Sequence, residues 1–303
     1  MDRQWVMNLL GVSRAPFLSL SFVTVFFAWS LAVYQTGLPS FLDTSLILVA
    51  MVASHVGVNA LNEYQDFQSG LDGKTHRTMF SGGSGTLIAA PEFAESARKI
   101  AYCAIGLALL IGFWFVLTVG IELLPIGVLG LWIVLNYTSR INRHPWLCLV
   151  SPGLGIGILA GLGSVYILSG TLSFTAILLA CGYALLLNNL LLLNQFPDIE
   201  ADRSVERTHL WIAYGKPFAL AVFTCQWLMA FFLILAGVGF NVLPWYSVLI
   251  LAGVFLAYPL IMNTRSIELL EQNLVSCLGK NVILCHFYPA FMGLVVLISR
   301  TLS

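Results

Sequence analysis

Asn62-Glu-Tyr-Gln-Asp66-Phe-Gln-Ser-Gly70-Leu-Asp72 closes a long apolar run and places three acids within eleven residues of a chain that holds 14 acids in all. With the preceding helix continued to Gln68, Asn62 and Asp66 stand four apart on one face. Gly70 then breaks the helix, and Asp72 can fold back toward the same space. A second stretch, Asn194-Gln-Phe-Pro-Asp198-Ile-Glu-Ala-Asp202, repeats the Asn-to-Asp spacing and adds an Asp four residues later. In helical geometry Asn194, Asp198 and Asp202 share a stripe. Two such clusters, each ending an apolar helix, suggest carboxylates facing each other across a cavity, with a metal and an anionic ligand between them.

The surrounding composition sets the class. The 303 residues are 59% hydrophobic and 9% charged, where soluble domains carry about 25% charged residues. Mean hydropathy is +0.90. Apolar runs recur along the whole length, which predicts an all-α integral membrane protein, a single transmembrane domain over residues 1–303. Nine spans are expected, at about 17–34, 45–64, 98–119, 124–137, 147–168, 174–194, 217–237, 242–261 and 282–298, the fourth being short. No cleavable signal peptide is expected, because the first apolar run is long enough to span. A net charge of zero argues against a nucleic-acid partner. The six cysteines show no CxxC pairing and read as small core hydrophobes.

Charges test the span count. With the N-terminus and the loops after spans two, four, six and eight on one side, that side holds 13 of the 14 basic residues and leaves only Arg300 opposite. The positive-inside rule then puts the N-terminus and both acidic clusters in the cytoplasm, in a bacterial or archaeal cytoplasmic membrane. Only Asp43 and Glu122 among the acids fall outside. A span ending in Asn-x-x-x-Asp and followed by a basic loop occurs after spans two and six, which suggests a pseudo-repeat of four spans.

Carboxylates suit Mg²⁺, which takes one or two of them together with waters and substrate phosphates. Lys74, Arg77, Arg203 and Arg207 stand beside the clusters, in reach of phosphate oxygens. Read singly, Asp66 is also a solvated acid at a helix end, and Asp202 a partner for Arg203 or Arg207. Ser81-Gly-Gly-Ser-Gly85 is either a ligand-hugging loop or a plain linker. His55 and His286, in apolar spans, read as helix-packing residues. An ion-coupled transporter would place its carboxylates in mid-span or in broken helices, whereas these gather at one face.

The paired motifs, Asn62-x-x-x-Asp66 with Gly70-x-Asp72 and Asn194-x-x-x-Asp198-x-x-x-Asp202, resemble the two aspartate-rich motifs of the UbiA superfamily of membrane prenyltransferases. The form of the first motif, with the following Ser81–Gly85 segment, is most similar to the branch that prenylates 1,4-dihydroxy-2-naphthoate in menaquinone synthesis. Arg14-Ala-Pro resembles that branch's N-terminal Arg-Pro. The resemblance implies nine helices around a central cavity, Mg²⁺ held by Asp66, Asp72, Asp198 and Asp202, a prenyl diphosphate donor and an aromatic acceptor. It implies substrate contacts from Arg14, Asn62, Lys74, Arg77, Arg140, Arg143, Asn194 and Arg203. Tyr137 matches a family Tyr that faces the allylic cation; an interfacial belt aromatic is the other reading. Two departures stand out. Glu63 replaces the usual second Asp, and Gln195-Phe-Pro replaces the usual Asn-x-Arg. Other acceptors of the superfamily are 4-hydroxybenzoate, homogentisate, and haem or chlorophyll precursors.

Overall fold

The computed structural model describes residues 2–302, apart from the side chains of Val254 and Leu256, and the described residues form helices and their connections. The main helices are α1 (Arg3–Val12), α2 (Ser19–Thr36), α3 (Phe41–Gln68), α4 (Ala94–Thr118), α5 (Leu123–Asn136), α6 (Pro145–Ser169), α7 (Phe174–Asn194), α8 (Lys216–Gly239), α9 (Val254–Asn263) and α10 (Leu274–Leu302). Their ends carry local signals. Ser40 and Ser173 cap α3 and α7 by accepting from the backbone N–H of Asp43 and Ala176. Pro145 opens α6 at the position where a missing N–H costs nothing.

Among the described residues, seven helical segments are long and apolar enough to cross a membrane. Two of the nine expected spans differ from that description. The eighth is a pair of helical pieces, Trp245–Gly253 and Ala257–Asn263, bent by 49°. The fourth, α5, has 14 residues, about 21 Å of helix against a hydrocarbon core of about 30 Å.

The helices run between two ends of the bundle. At one end Asn59 Nδ2 donates to Ser13 O (2.9 Å), Thr138 Oγ1 to Asn62 Oδ1 (2.7 Å), and Lys216 pairs with Glu271 (3.2 Å). At the other, Gln35 holds Ser169 (3.2 Å) and Ser173 (2.6 Å), and Arg300 donates to Tyr34 O (3.1 Å). The chain therefore starts at the first end and finishes at the second, and both acidic clusters lie at the first.

α7 is the central helix. It is apolar all round and buried along most of its length, as expected of a helix surrounded by others. It packs on α6, α8 and α10. Its approach to α6 depends on Gly153 and Gly157, because a Cβ at either would press on Ala184. Between them α6 is π-helical from Gly153 to Ala160, directly after Pro152, whose ring lacks the N–H of a regular ladder. α3 packs along α4, and α2 along α10. A cavity of about 680 Å³ opens among α3, α4, α5 and α6, with both acidic clusters at its polar end.

Candidate active site

The polar end is built from the ends of α3 and α7. Asn62 and Asp66 both line the cavity from α3, as their spacing requires. Gly70 adopts the left-handed conformation (φ 74°), which only glycine enters without strain, and turns the chain back so that the short turn Leu71–Gly73 buries Asp72. The second cluster is not one continuous stripe. α7 stops at Asn194, Pro197 follows, and helix resumes at Ile199–Arg203. Proline cannot donate into the ladder, so the helix breaks there. Asn194, Asp198 and Asp202 nonetheless all line the cavity. The Asp202 N–H donates to Asp198 O (2.8 Å), which ties the restarted turn to its predecessor.

One guanidinium joins the clusters. Arg207 makes a short ion pair with Asp66 and a second, 3.1 Å long, with Asp202 Oδ1. His209, buried beside them, sets Nε2 3.2 Å from Asp202 Oδ2. Lys74 donates to Ser204 Oγ (3.2 Å), a further link between the two loops. Glu63, next to Asn62 near the end of α3, is fully buried. It accepts from Arg14 Nε (2.7 Å), from Ser84 N (2.8 Å) and from Ser84 Oγ (2.7 Å). That fixes the Ser81–Gly85 segment over the cavity. A Cβ on Gly83 would sit 3.0 Å from Asp72 Oδ1 and 3.3 Å from Glu63 Oε1.

Several buried oxygens have no partner among the described residues: Asp72 Oδ2, Asp198 Oδ1 and Asn194 Oδ1. All three residues line the cavity. Burial, reinforced by Glu63 and Asp66, raises the Asp72 carboxyl to about 7. Burial and the neighbouring Asp202 raise Asp198 likewise to about 7. Unpaired, proton-hungry carboxylates around one space form an acceptor set for a cation of hard character. Among the described residues no three acids, histidines or cysteines converge tightly enough to bind a metal unaided. The set therefore suits an ion that takes part of its shell from phosphate and water.

The family model of UbiA prenyltransferases matches residues 21–271. The chain belongs to the UbiA prenyltransferase family. It is a multi-pass membrane prenyltransferase. Among curated relatives, the 1,4-dihydroxy-2-naphthoate octaprenyltransferase of Bacillus subtilis (strain 168) is 26% identical over 251 residues, covering 80% of this chain and 78% of that protein. Among solved structures, a UbiA homolog from Archaeoglobus fulgidus bound to GPP and Mg²⁺ superposes with a TM-score of 0.67 at 17% identity, over 96% of this chain and 99% of that one. A UbiA homolog from Aeropyrum pernix K1, in its apo form, gives 0.66 at 16% identity, over 92% and 98%. These structures share the fold.

Within this UbiA fold the expected site residues divide. Arg14, Asn62, Asp66, Asp72, Tyr137, Asn194, Asp198 and Asp202 meet at the cavity. Arg77 braces the loop instead, donating to Asp72 O (2.7 Å). Arg203 pairs outward with Glu200 (3.1 Å), and Arg143 lies 4.0 Å from Glu206. These two, with Arg140, are exposed and outside the cavity lining. Sequence reasoning overlooked His209, and it named Arg207 as a flanking base and one of two partners open to Asp202 but not as the link to Asp66. Its only signal was position: five residues after Asp202.

Proposed function

We propose that this prenyltransferase moves a polyprenyl group from a prenyl diphosphate to an aromatic acceptor of the 1,4-dihydroxy-2-naphthoate type, with Mg²⁺, in quinone biosynthesis. The observation that carries the reading is the unpaired Asp72, Asp198 and Asn194 oxygens at the polar end of an apolar cavity. The Bacillus subtilis relative supports the acceptor class, and the Archaeoglobus fulgidus homolog supports the donor and the metal.

In this reading Asp66, Asp72, Asp198 and Asp202 hold Mg²⁺ with the diphosphate. When bound there, Mg²⁺ supplies the charge neutralisation that lets diphosphate leave. Arg207 places positive charge at the same point, and Asn62 and Asn194 orient the ligand. Lys74, Arg77, Arg140, Arg143 and Arg203 give the mouth a positive field that draws the anionic donor in. Tyr137 turns its ring to the allylic carbon as the bond to diphosphate lengthens. The apolar walls exclude water, which would otherwise capture that carbon. An aromatic carbon of the acceptor bonds to it as the carbon–diphosphate bond breaks, and loss of the proton on that aromatic carbon restores the aromatic ring. The active site and N-terminus face the cytoplasm of a bacterial or archaeal cell.

The test is incubation of membranes with labelled prenyl diphosphates, Mg²⁺ and 1,4-dihydroxy-2-naphthoate, 4-hydroxybenzoate or homogentisate, followed by mass spectrometry. A prenylated dihydroxynaphthalene product is expected, recovered in part as the naphthoquinone after oxidation by air. Prenylation of another acceptor alone would reassign the substrate, and transfer unaffected by EDTA would remove the metal.

A further inference from the structure

α3 offers the cavity more than carboxylates. His55, Asn59, Asn62 and Asp66 lie at spacings of four, three and four, and all four line it. By helical rise, Asn59 stands roughly 10 Å and His55 roughly 16 Å along α3 from Asp66. The wall beside them is apolar, formed by Ile47, Met51, Val58 and Ile105. Polar groups at membrane depth are costly and mark sites of function.

The two histidines that looked alike in the sequence separate here. His286 uses both ring nitrogens: Nε2 meets Ser19 Oγ (2.8 Å) and Nδ1 meets Val282 O (2.8 Å). It packs helices and nothing remains for a ligand. His55 uses one. Its Nδ1 lies 3.1 Å from the hydroxyl of Ser21, a buried residue of α2 that also lines the cavity. His55 Nε2 has no partner among the described residues. With Ser21 donating, Nδ1 accepts, and Nε2–H is left as a donor. One turn away, Asn59 commits Nδ2 to Ser13 O and keeps Oδ1 as an acceptor.

A polyisoprenoid chain has no atom that could use a donor and an acceptor side by side. A phenolic hydroxyl uses both. On the prenyl-transfer reading above, we propose that Ser21, His55 and Asn59 form the acceptor-recognition subsite, which hydrogen-bonds a ring hydroxyl of the acceptor. Ser21 is the positioning residue: it sets the imidazole tautomer and does not itself touch the ring.

Binding is measured apart from turnover, by equilibrium dialysis of 1,4-dihydroxy-2-naphthoate, and of 4-hydroxybenzoate as a second probe, against purified protein in detergent with Mg²⁺. His55→Leu is expected to weaken binding of the preferred probe about tenfold, and Ser21→Ala about threefold, as befits one lost or misdirected hydrogen bond. His55→Gln, which retains a donor, recovers part of the loss. The acceptor KM follows the same order, while the prenyl diphosphate KM stays within about twofold of wild type, which also reports an intact fold. The subsite is overturned if Ser21→Ala and His55→Leu both bind the probes like wild type, if both KM values rise together, or if the wild type binds neither probe. Binding that depends on His55 without any transfer would uphold the subsite and count against the transferase reading.

Discussion

Glu63 and Asp66 are three residues apart and buried alike, yet they should fail differently. Glu63 has three donors, and among the described residues Arg14 is its only charged partner. Arg14→Ala leaves that carboxylate uncompensated in the interior, a loss of about 3–5 kcal/mol. A lowered Tm in detergent and faster proteolysis near Gly83 are expected. Asp66 is different, because Arg207 retains Asp202 when Asp66 is neutralised. Asp66→Asn should therefore abolish transfer with little change in Tm. Asp198 has an oxygen with no partner among the described residues, so Asp198→Asn should also abolish transfer and, in EDTA at neutral pH, should raise Tm. If either Asn variant keeps metal-dependent transfer near wild-type rates, the two-cluster site is wrong. The pH dependence has a defined sign. Asp72 and Asp198 bind protons up to about 7 in the folded protein, well above the ordinary carboxylate range. Between that range and about 7 the folded state holds more protons than the unfolded one, so metal-free stability falls as pH rises. Melting curves in EDTA from about pH 4.5 to 8 should slope downward, less steeply for Asp198→Asn, and Mg²⁺ should restore stability at the alkaline end. The four Asp positions were legible in the sequence because helical spacing and a glycine break are local facts. Arg207 reaches Asp66 across 141 positions, and no local pattern carries that. His209 was invisible for the same reason: its burial against Asp202 follows from how the loop folds over the cavity.

Among the elements, α6 on α7 sets the geometry of the site, since α7 delivers Asn194 and α6 lines the cavity. A Cβ at Gly153 would fall inside contact distance of Asn188 Oδ1 and the Ala184 carbonyl, both needed where they are. Asn188 Oδ1 already accepts from Gly153 N (2.9 Å). Overpacking of this kind costs about 1–3 kcal/mol. Gly153→Ala should lower Tm and slow transfer, whereas Gly155→Ala, with open space at its Cβ, should leave Tm within error. Equal Tm for the two variants would show that this contact does not position α7. The existence of the helices was readable from apolar length alone. Their irregularities were not. The π-helical stretch after Pro152 and the bend between Trp245–Gly253 and Ala257–Asn263 leave no mark in the run of apolar residues that carries them. The break at Pro197 was written in the sequence, but the regular Asp spacing around it pointed to an unbroken stripe.

At the scale of the molecule the question is how many times the chain crosses. Length alone gives seven complete spans, or eight with the bent pair, and an even count would return both termini to one side. The contacts argue otherwise. α4 starts beside α1, where Phe93 meets the Trp5 ring at 6.1 Å, and runs 25 residues away from that end. α5 comes back, for the residue two past its end, Thr138, donates to Asn62 beside the acidic clusters. A 14-residue helix suffices because Asn62 lies inside the last turns of α3 rather than at its tip. Arg300, the one basic residue that the charge pattern left on the far side, donates to Tyr34 O at the opposite end of the bundle. An odd number of crossings is therefore expected, with the basic loops together on one face. Reporter fusions, or membrane-impermeant labelling of single cysteines, placed in the loop at Gly73 and next to Arg300 should therefore report opposite sides of the membrane, with Gly73 cytoplasmic. A third probe at Arg140 should agree with Gly73. If Arg140 reports the side of Arg300 instead, α5 does not cross, and the loop that carries Tyr137 cannot close the cavity over the carboxylates.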